Sequence, residues 1–213
     1  MKPLASLKQP ANPVLIFWIA IGLVGFFAVP WYGVEDFFKF EWLIDGYPFD
    51  ADYAPAAFLL GQAEKLWLAP LILPLLAPFA VLLKRKSDPL YARVLIVAGA
   101  IGLGWIILQG FSIGIRGWNF GWLQVFFGDL NDRQYGMGYG GMLVAVAFLV
   151  LFTQGIAARG AINGDVFVVS SISGIVVIVT IFVFFPIAKM LTAAFISDGG
   201  GYSLSVFASK FFY

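Results

Sequence analysis

The 213-residue sequence contains no cysteine and no histidine, and only 12% of its residues are charged. Without cysteine there can be no disulfide, thiolate zinc site or iron–sulfur cluster. Without histidine there is no His-ligated haem and no imidazole general base. Few enzyme chemistries survive both absences, so the chain reads as non-enzymatic, with no catalytic, cofactor-binding or metal-ligating residue assigned. A soluble domain carries nearer a quarter of charged residues. The formal charge of +1 is nearly neutral, which argues against nucleic acid as a partner.

Apolar residues fill the gap: 61% of the chain is hydrophobic and the mean hydropathy is +0.91. They gather into five stretches, over about 14–31, 66–83, 94–115, 138–158 and 166–188. Each is near the roughly 20 residues a helix needs to cross the hydrocarbon core of a bilayer. The expected fold is therefore all-α: a single polytopic membrane domain over 1–213 with about five transmembrane helices. The first stretch follows Lys2 and Lys8 but ends in Val29-Pro30-Trp31-Tyr32 without a small-x-small cleavage pattern, so it reads as a retained span.

Lysine and arginine mark inside flanks. With the N-terminus inside, Lys2, Lys8, Lys84, Arg85, Lys86, Arg93 and Arg159 fall inside and six basic residues fall outside. The inside segments are much shorter, so their basic density is higher. The expected topology is N-terminus inside, C-terminus outside. The outside loop 32–65 then collects Glu35, Asp36, Glu41, Asp45, Asp50, Asp52 and Glu64.

That loop is also rich in aromatics. Phe37, Phe38 and Phe40 beside Lys39 and Glu41 read as an amphipathic stretch on the membrane surface, and Asp45-Gly46-Tyr47-Pro48 as a turn. Tyr47, Asp50, Asp52 and Tyr53 could serve as hard oxygen ligands, but a solvated acidic loop is the simpler reading. In the second stretch, Pro70, Pro74 and Pro78 recur every four residues, on one helical face. Each lacks an N–H and frees a carbonyl, so that face is expected to pack against protein or water, as a kinked scaffold helix or a hinge. The third stretch has small-xxx-small spacing at Ala98–Gly102, Ala100–Gly104 and Gly110–Gly114, and the fifth has Ser170 and Gly174; such spacing permits close helix contact.

Gly136-Met-Gly138-Tyr-Gly140-Gly141 matches a dinucleotide fingerprint only on paper, because a membrane helix follows it. It reads as a flexible lead into the fourth span. No Asp, Glu, Lys or Arg stands in the middle of a span, which argues against a complete ion-coupled carrier. Gln109 and Gln154 are expected to bond to neighbouring helices. A lipid-directed enzyme would have only Asp129 and Asp132 to work with, and a polar loop accounts for them.

After Pro186 come Ser197-Asp198-Gly199-Gly200-Gly201-Tyr202-Ser203-Leu204 and Phe207, with Leu204, Phe207 and Phe211 on one face. This arrangement resembles the first core helix of type I ABC importer permeases. The segment from Gly136 to Phe195, with Gly140-Gly141-Met142-Leu143 and Asn163-Gly164-Asp165-Val166-Phe167, looks similar to the N-terminal region of ferric-iron ABC transporter permeases. The resemblance implies a multi-pass protein of a bacterial inner membrane, with loop 32–65 periplasmic. It implies iron(III) as cargo and no cofactor. The implied partners are the remaining permease helices or a permease dimer partner, cytoplasmic ABC ATPase subunits, a periplasmic substrate-binding protein and the lipid bilayer. The family's cytoplasmic Glu-Ala-Ala loop has no counterpart here, and the chain ends on Phe211-Phe212-Tyr213, so an N-terminal portion of a longer permease is expected. The alternative is a stand-alone membrane scaffold or accessory subunit without transport activity of its own.

Overall fold

A computed structural model describes residues 12–33, 39–44, 46–114, 117–130 and 136–195, together with 205, 208 and 209. The chain is mostly helical and falls into two units, 1–170 and 171–213. The expectations for Phe37, Phe38, Asp45, Asp132, Leu204, Phe207 and Phe211 lie outside the described residues.

The core of the first unit is three helices: α1 (Pro13–Phe27), α4 (Pro89–Ser112) and α6 (Tyr139–Ala158). The first two start alike. Asn12 and Asp88 each accept a hydrogen bond from the N–H two residues on, and proline follows at the first helical position, where a missing N–H costs nothing. α6 stops at Gly160, whose φ of 91° suits only glycine well.

Glycine decides how these helices meet. A Cβ on Gly99 would stand 2.6 Å from the Phe148 carbonyl and the Phe152 backbone nitrogen. A Cβ on Gly155 would stand 2.8 Å from the Ile96 nitrogen. Between α1 and α6, a Cβ on Gly25 would lie 2.8 Å from the Gly140 carbonyl. Lipid supplies no hydrophobic drive between helices, so close van der Waals contact of this kind is what holds them. Leu15, Ile19 and Phe26 from α1, Tyr91 and Leu95 from α4, and Val144, Phe148 and Leu151 from α6 fill the space between. The contacts also fix direction. Asn12 Nδ2 donates to the Tyr91 hydroxyl (3.1 Å), so α1 and α4 begin at one end, and Gly25 meets Gly140 at the other, where α6 begins.

The second apolar stretch is not one α-helix. It is a 3-10 turn (Leu66–Leu71), α3 (Ile72–Leu76) and a second 3-10 turn (Ala77–Val81), with Pro74 and Pro78 buried. Proline at every fourth position denies the α pattern its donors, and the tighter 3-10 ladder results on either side of α3. Because a 3-10 turn rises about 2 Å per residue against about 1.5 Å in an α-helix, these residues reach about 30 Å.

The shorter elements close the far end. α2 (Ala56–Gly61) packs beside α1, and β1 (Tyr32–Gly33) pairs antiparallel with β4 (Gly136–Met137). The hairpin of β2 (Ile113–Gly114) and β3 (Gly117–Trp118) and the short α5 (Trp122–Phe127) follow α4. The second unit continues α7 (Val166–Val179) through a π turn into α8 (Phe185–Ala194), and its described residues include none that is buried.

Three helices are long and apolar enough to cross a membrane: Pro89–Ser112, Tyr139–Ala158 and the continuous Val166–Ala194. α1 and the segment Leu66–Val81 are apolar but shorter. α4 begins five residues before the apolar stretch because the Asp88 cap and Pro89 start the helix ahead of Arg93, and the end of that stretch turns into β2.

Candidate functional site

The Trp67 carbonyl has an unusual arrangement of donors. In a 3-10 turn each carbonyl accepts from the N–H three residues on. For Trp67 that residue is Pro70, which has none. Two donors from α4 take its place: Trp105 Nε1–H at 2.8 Å and Gln109 Nε2–H at 3.2 Å. Gln109 thus bonds to a neighbouring segment, as expected, and its target is a backbone group orphaned by proline. The Trp67 indole N–H donates in turn to the Tyr32 hydroxyl (3.1 Å). Burial pushes the Tyr32 phenol up to about 12, partly offset by that hydrogen bond. Trp67, Trp118 and Phe127 complete an aromatic cluster, with Trp67 and Trp118 edge to face at 5.3 Å. Sequence reasoning missed this knot; the signal was Trp67 three residues before a proline.

At the opposite end lies a pocket of about 340 Å³ of mixed lining, walled by Asn12, Lys86, Ser87, Tyr91, Gln154 and Val166 among others. It gathers the starts of α1, α4 and α7 and the end of α6. Gln154 is 4% exposed, and neither its amide nitrogen nor its amide oxygen has a hydrogen-bond partner among the described residues. The bond to a neighbouring helix expected of Gln154 is made by Thr153 instead, which accepts from Ser170 (2.8 Å) while donating to the Val150 carbonyl. Leu90 N–H and then the Lys84 ammonium (3.4 Å) hold the Asp88 carboxyl below the usual carboxylate range. The pocket offers a small polar group one donor and one acceptor in its wall and a cation, Lys86, beside it.

A second concavity of about 610 Å³ runs between Leu66–Val81 and α4. Pro70 and Pro74 form part of one wall and Val94, Val97 and Ile101 part of the other, and its exposed lining carries no polar atom. The proline face is therefore graded: Pro70 and the buried Pro74 border the groove, and Pro78 is buried outside it.

Two acidic loop residues, Asp50 and Asp129, are engaged locally. Asp50 accepts from the Asp52 N–H (3.0 Å) in a turn, and the Tyr47 hydroxyl donates to the Ala28 carbonyl (2.8 Å), tying the loop to the end of α1. Gln124 donates to Asp129. Among the described residues no three acidic groups gather where they could hold a metal ion. The glycine-rich segment is structural. Gly138 N–H donates to the Trp31 carbonyl (2.9 Å) and Gly140 N–H to the Pro30 carbonyl (2.8 Å), so backbone lies on backbone where a side chain would not fit. It is a paired junction rather than a flexible lead into α6.

No protein-family model, curated protein or solved structure matches the chain.

Proposed function

We propose that the chain is a multi-pass membrane protein that crosses the bilayer five times, with its N-terminus inside and C-terminus outside. It performs no covalent chemistry and acts as the membrane scaffold of a transport assembly. The observation that carries this reading is the alternation of ends in the first unit: Asn12, Lys86, Tyr91 and Ala158 share one pocket, while Gly25 and Gly140 meet at the other end. Successive segments therefore run up and down, as successive crossings must. The 3-10 turns of 66–81 also give that segment a reach of about 30 Å, the thickness of the hydrocarbon core.

Within this reading the assembly is an ABC importer of a bacterial inner membrane with iron(III) as its cargo. The resemblance of 136–195 supplies the family, the cargo and the ATPase and binding-protein partners. An accessory subunit is the second reading. It is favoured by Gly99, Gly102 and Gly155, which spend their close contacts inside the chain, so the first unit needs no foreign helix to cover them.

The chain has no native cysteine, so single cysteines at positions 86 and 200 are the only thiols to label. An impermeant maleimide is expected to reach them from opposite faces of the membrane; reaction from the same face overturns the topology. Purification from native membranes separates the two assemblies: an ABC ATPase subunit accompanies a permease, and its absence with the topology intact leaves the accessory subunit.

A further inference from the structure

The groove beside Pro70 and Pro74 has a property the scaffold reading does not use. Its exposed lining is wholly apolar, yet one end is bordered by Arg93, an exposed residue whose polar atoms form no part of that lining. The guanidinium stands beyond the apolar surface, and Arg93 has no ion-pair or hydrogen-bond partner among the described residues. Long basic side chains lie this way where apolar surface meets headgroups.

Dimensions agree with one occupant. Arg93 and Ile101 are eight residues apart on α4, so the groove runs about 12 Å along the helix axis. One leaflet of the hydrocarbon core is about 15 Å deep. The opposite wall has proline at two positions and so offers no N–H there to a passing chain. A polar ligand would find nothing to bond along the groove, and a neutral apolar one would leave Arg93 unanswered. A molecule with an anionic head and an apolar tail answers both.

We propose that the groove holds one acyl chain of a membrane phospholipid, with the lipid phosphate hydrogen-bonded to the Arg93 guanidinium. Arginine matches a phosphate with two parallel N–H donors, a geometry that lysine lacks. The neighbouring Lys84, Arg85 and Lys86 add attraction for anionic headgroups in the same leaflet. This goes beyond the scaffold reading and holds whichever face of the membrane that end occupies.

The test is native mass spectrometry of the full chain in detergent, titrated with phosphatidylglycerol or with diacylglycerol of the same acyl chains. The expected result is one phosphatidylglycerol bound per chain and at least about tenfold weaker binding of diacylglycerol. Arg93→Gln is expected to weaken phosphatidylglycerol binding about tenfold and leave diacylglycerol unchanged, because only the phosphate contact is lost. Val97→Trp fills the groove and is expected to reduce both. Leu73→Trp, at a position 77% exposed on the facing segment, does the same job if Val97→Trp fails to fold. Equal binding of the two lipids by the unaltered chain overturns the proposal. So does an Arg93→Gln variant that binds phosphatidylglycerol normally, or a filled groove that binds both lipids as before. None of these outcomes depends on the five-crossing topology, so the two ideas fail separately.

Discussion

Removing both α4 donors from the Trp67 carbonyl should cost more than the sum of removing each. With Trp105→Phe, Gln109 still donates to that carbonyl; with Gln109→Leu, Trp105 still does. Each single change then loses one net hydrogen bond, on the order of 0.6–1 kcal/mol. Trp105→Phe also alters the ring contact with Phe127, at 6.2 Å between centroids, but that loss appears in the single and double variants alike and cancels in the cycle. The double variant loses both bonds and in addition leaves unsatisfied a carbonyl that Pro70 cannot serve, at a further cost of about 1–3 kcal/mol. The coupling should therefore be on the order of 1 kcal/mol in excess of additivity. Unfolding by denaturing detergent in mixed micelles, followed by far-ultraviolet circular dichroism, measures all four corners. A third substitution sharpens the test. Pro70→Ala restores the N–H that a 3-10 turn aims at Trp67, so it should recover most of the excess loss in the double variant while doing little for the unaltered chain. Additive singles, or a double variant that Pro70→Ala does not rescue, would refute the account of how this proline-rich segment is satisfied.

Gly99→Ala and Gly104→Ala lie on the same helix and should differ sharply. A Cβ at the first meets backbone at 2.6 Å and at the second meets nothing within 4 Å. The first should cost about 3 kcal/mol by overpacking and the second should be neutral or slightly stabilising, read as thermal midpoints in detergent. Gln154→Leu should raise stability by about 1 kcal/mol, because it removes a buried amide that has no partner; a fall in stability would mean that the amide has found one. Tyr32 should steepen alkaline unfolding. Its phenol ionises near 10.0 when exposed and at about 12 in the fold, so its contribution is complete below pH 10 and disappears as pH rises from 10 towards 12. Tyr32→Phe should flatten that limb of the pH–stability curve.

Helices of spanning length were legible in the sequence because bilayer thickness is a strong constraint on apolar length, and three of the five stretches became such helices. The starts of α1 and α4 were also present as Asn-Pro and Asp-Pro pairs at the head of apolar runs, a cap followed by a first-turn proline. The spacing of small residues marked Ala98 and Gly102, which do lie at the contact, but it passed over Gly99 and could not separate that face from Gly104, which faces open space. Spacing defines a face; which face meets a neighbour is settled only when the other helices are in place.

The proline stretch shows why the rest stayed hidden. Counting back four residues, as an α-helix demands, points to residues 66, 70 and 74 as the freed carbonyls. The segment answered the prolines by changing its own ladder, which moved the first orphan to Trp67. Its donors, Trp105 and Gln109, lie 38 and 42 residues away. Local sequence could announce that a carbonyl would need help, but not which one, because the helix type depends on the packing that supplies the help. The same change of ladder lengthens the segment to about the thickness of a bilayer core. Replacing all three prolines with alanine should therefore restore α-helical bonding and shorten these 16 residues to about 24 Å, too short to span the core without thinning it. Under the proposed five-crossing topology, the prolines that look like defects in a membrane helix are what would give so short a segment the reach to cross.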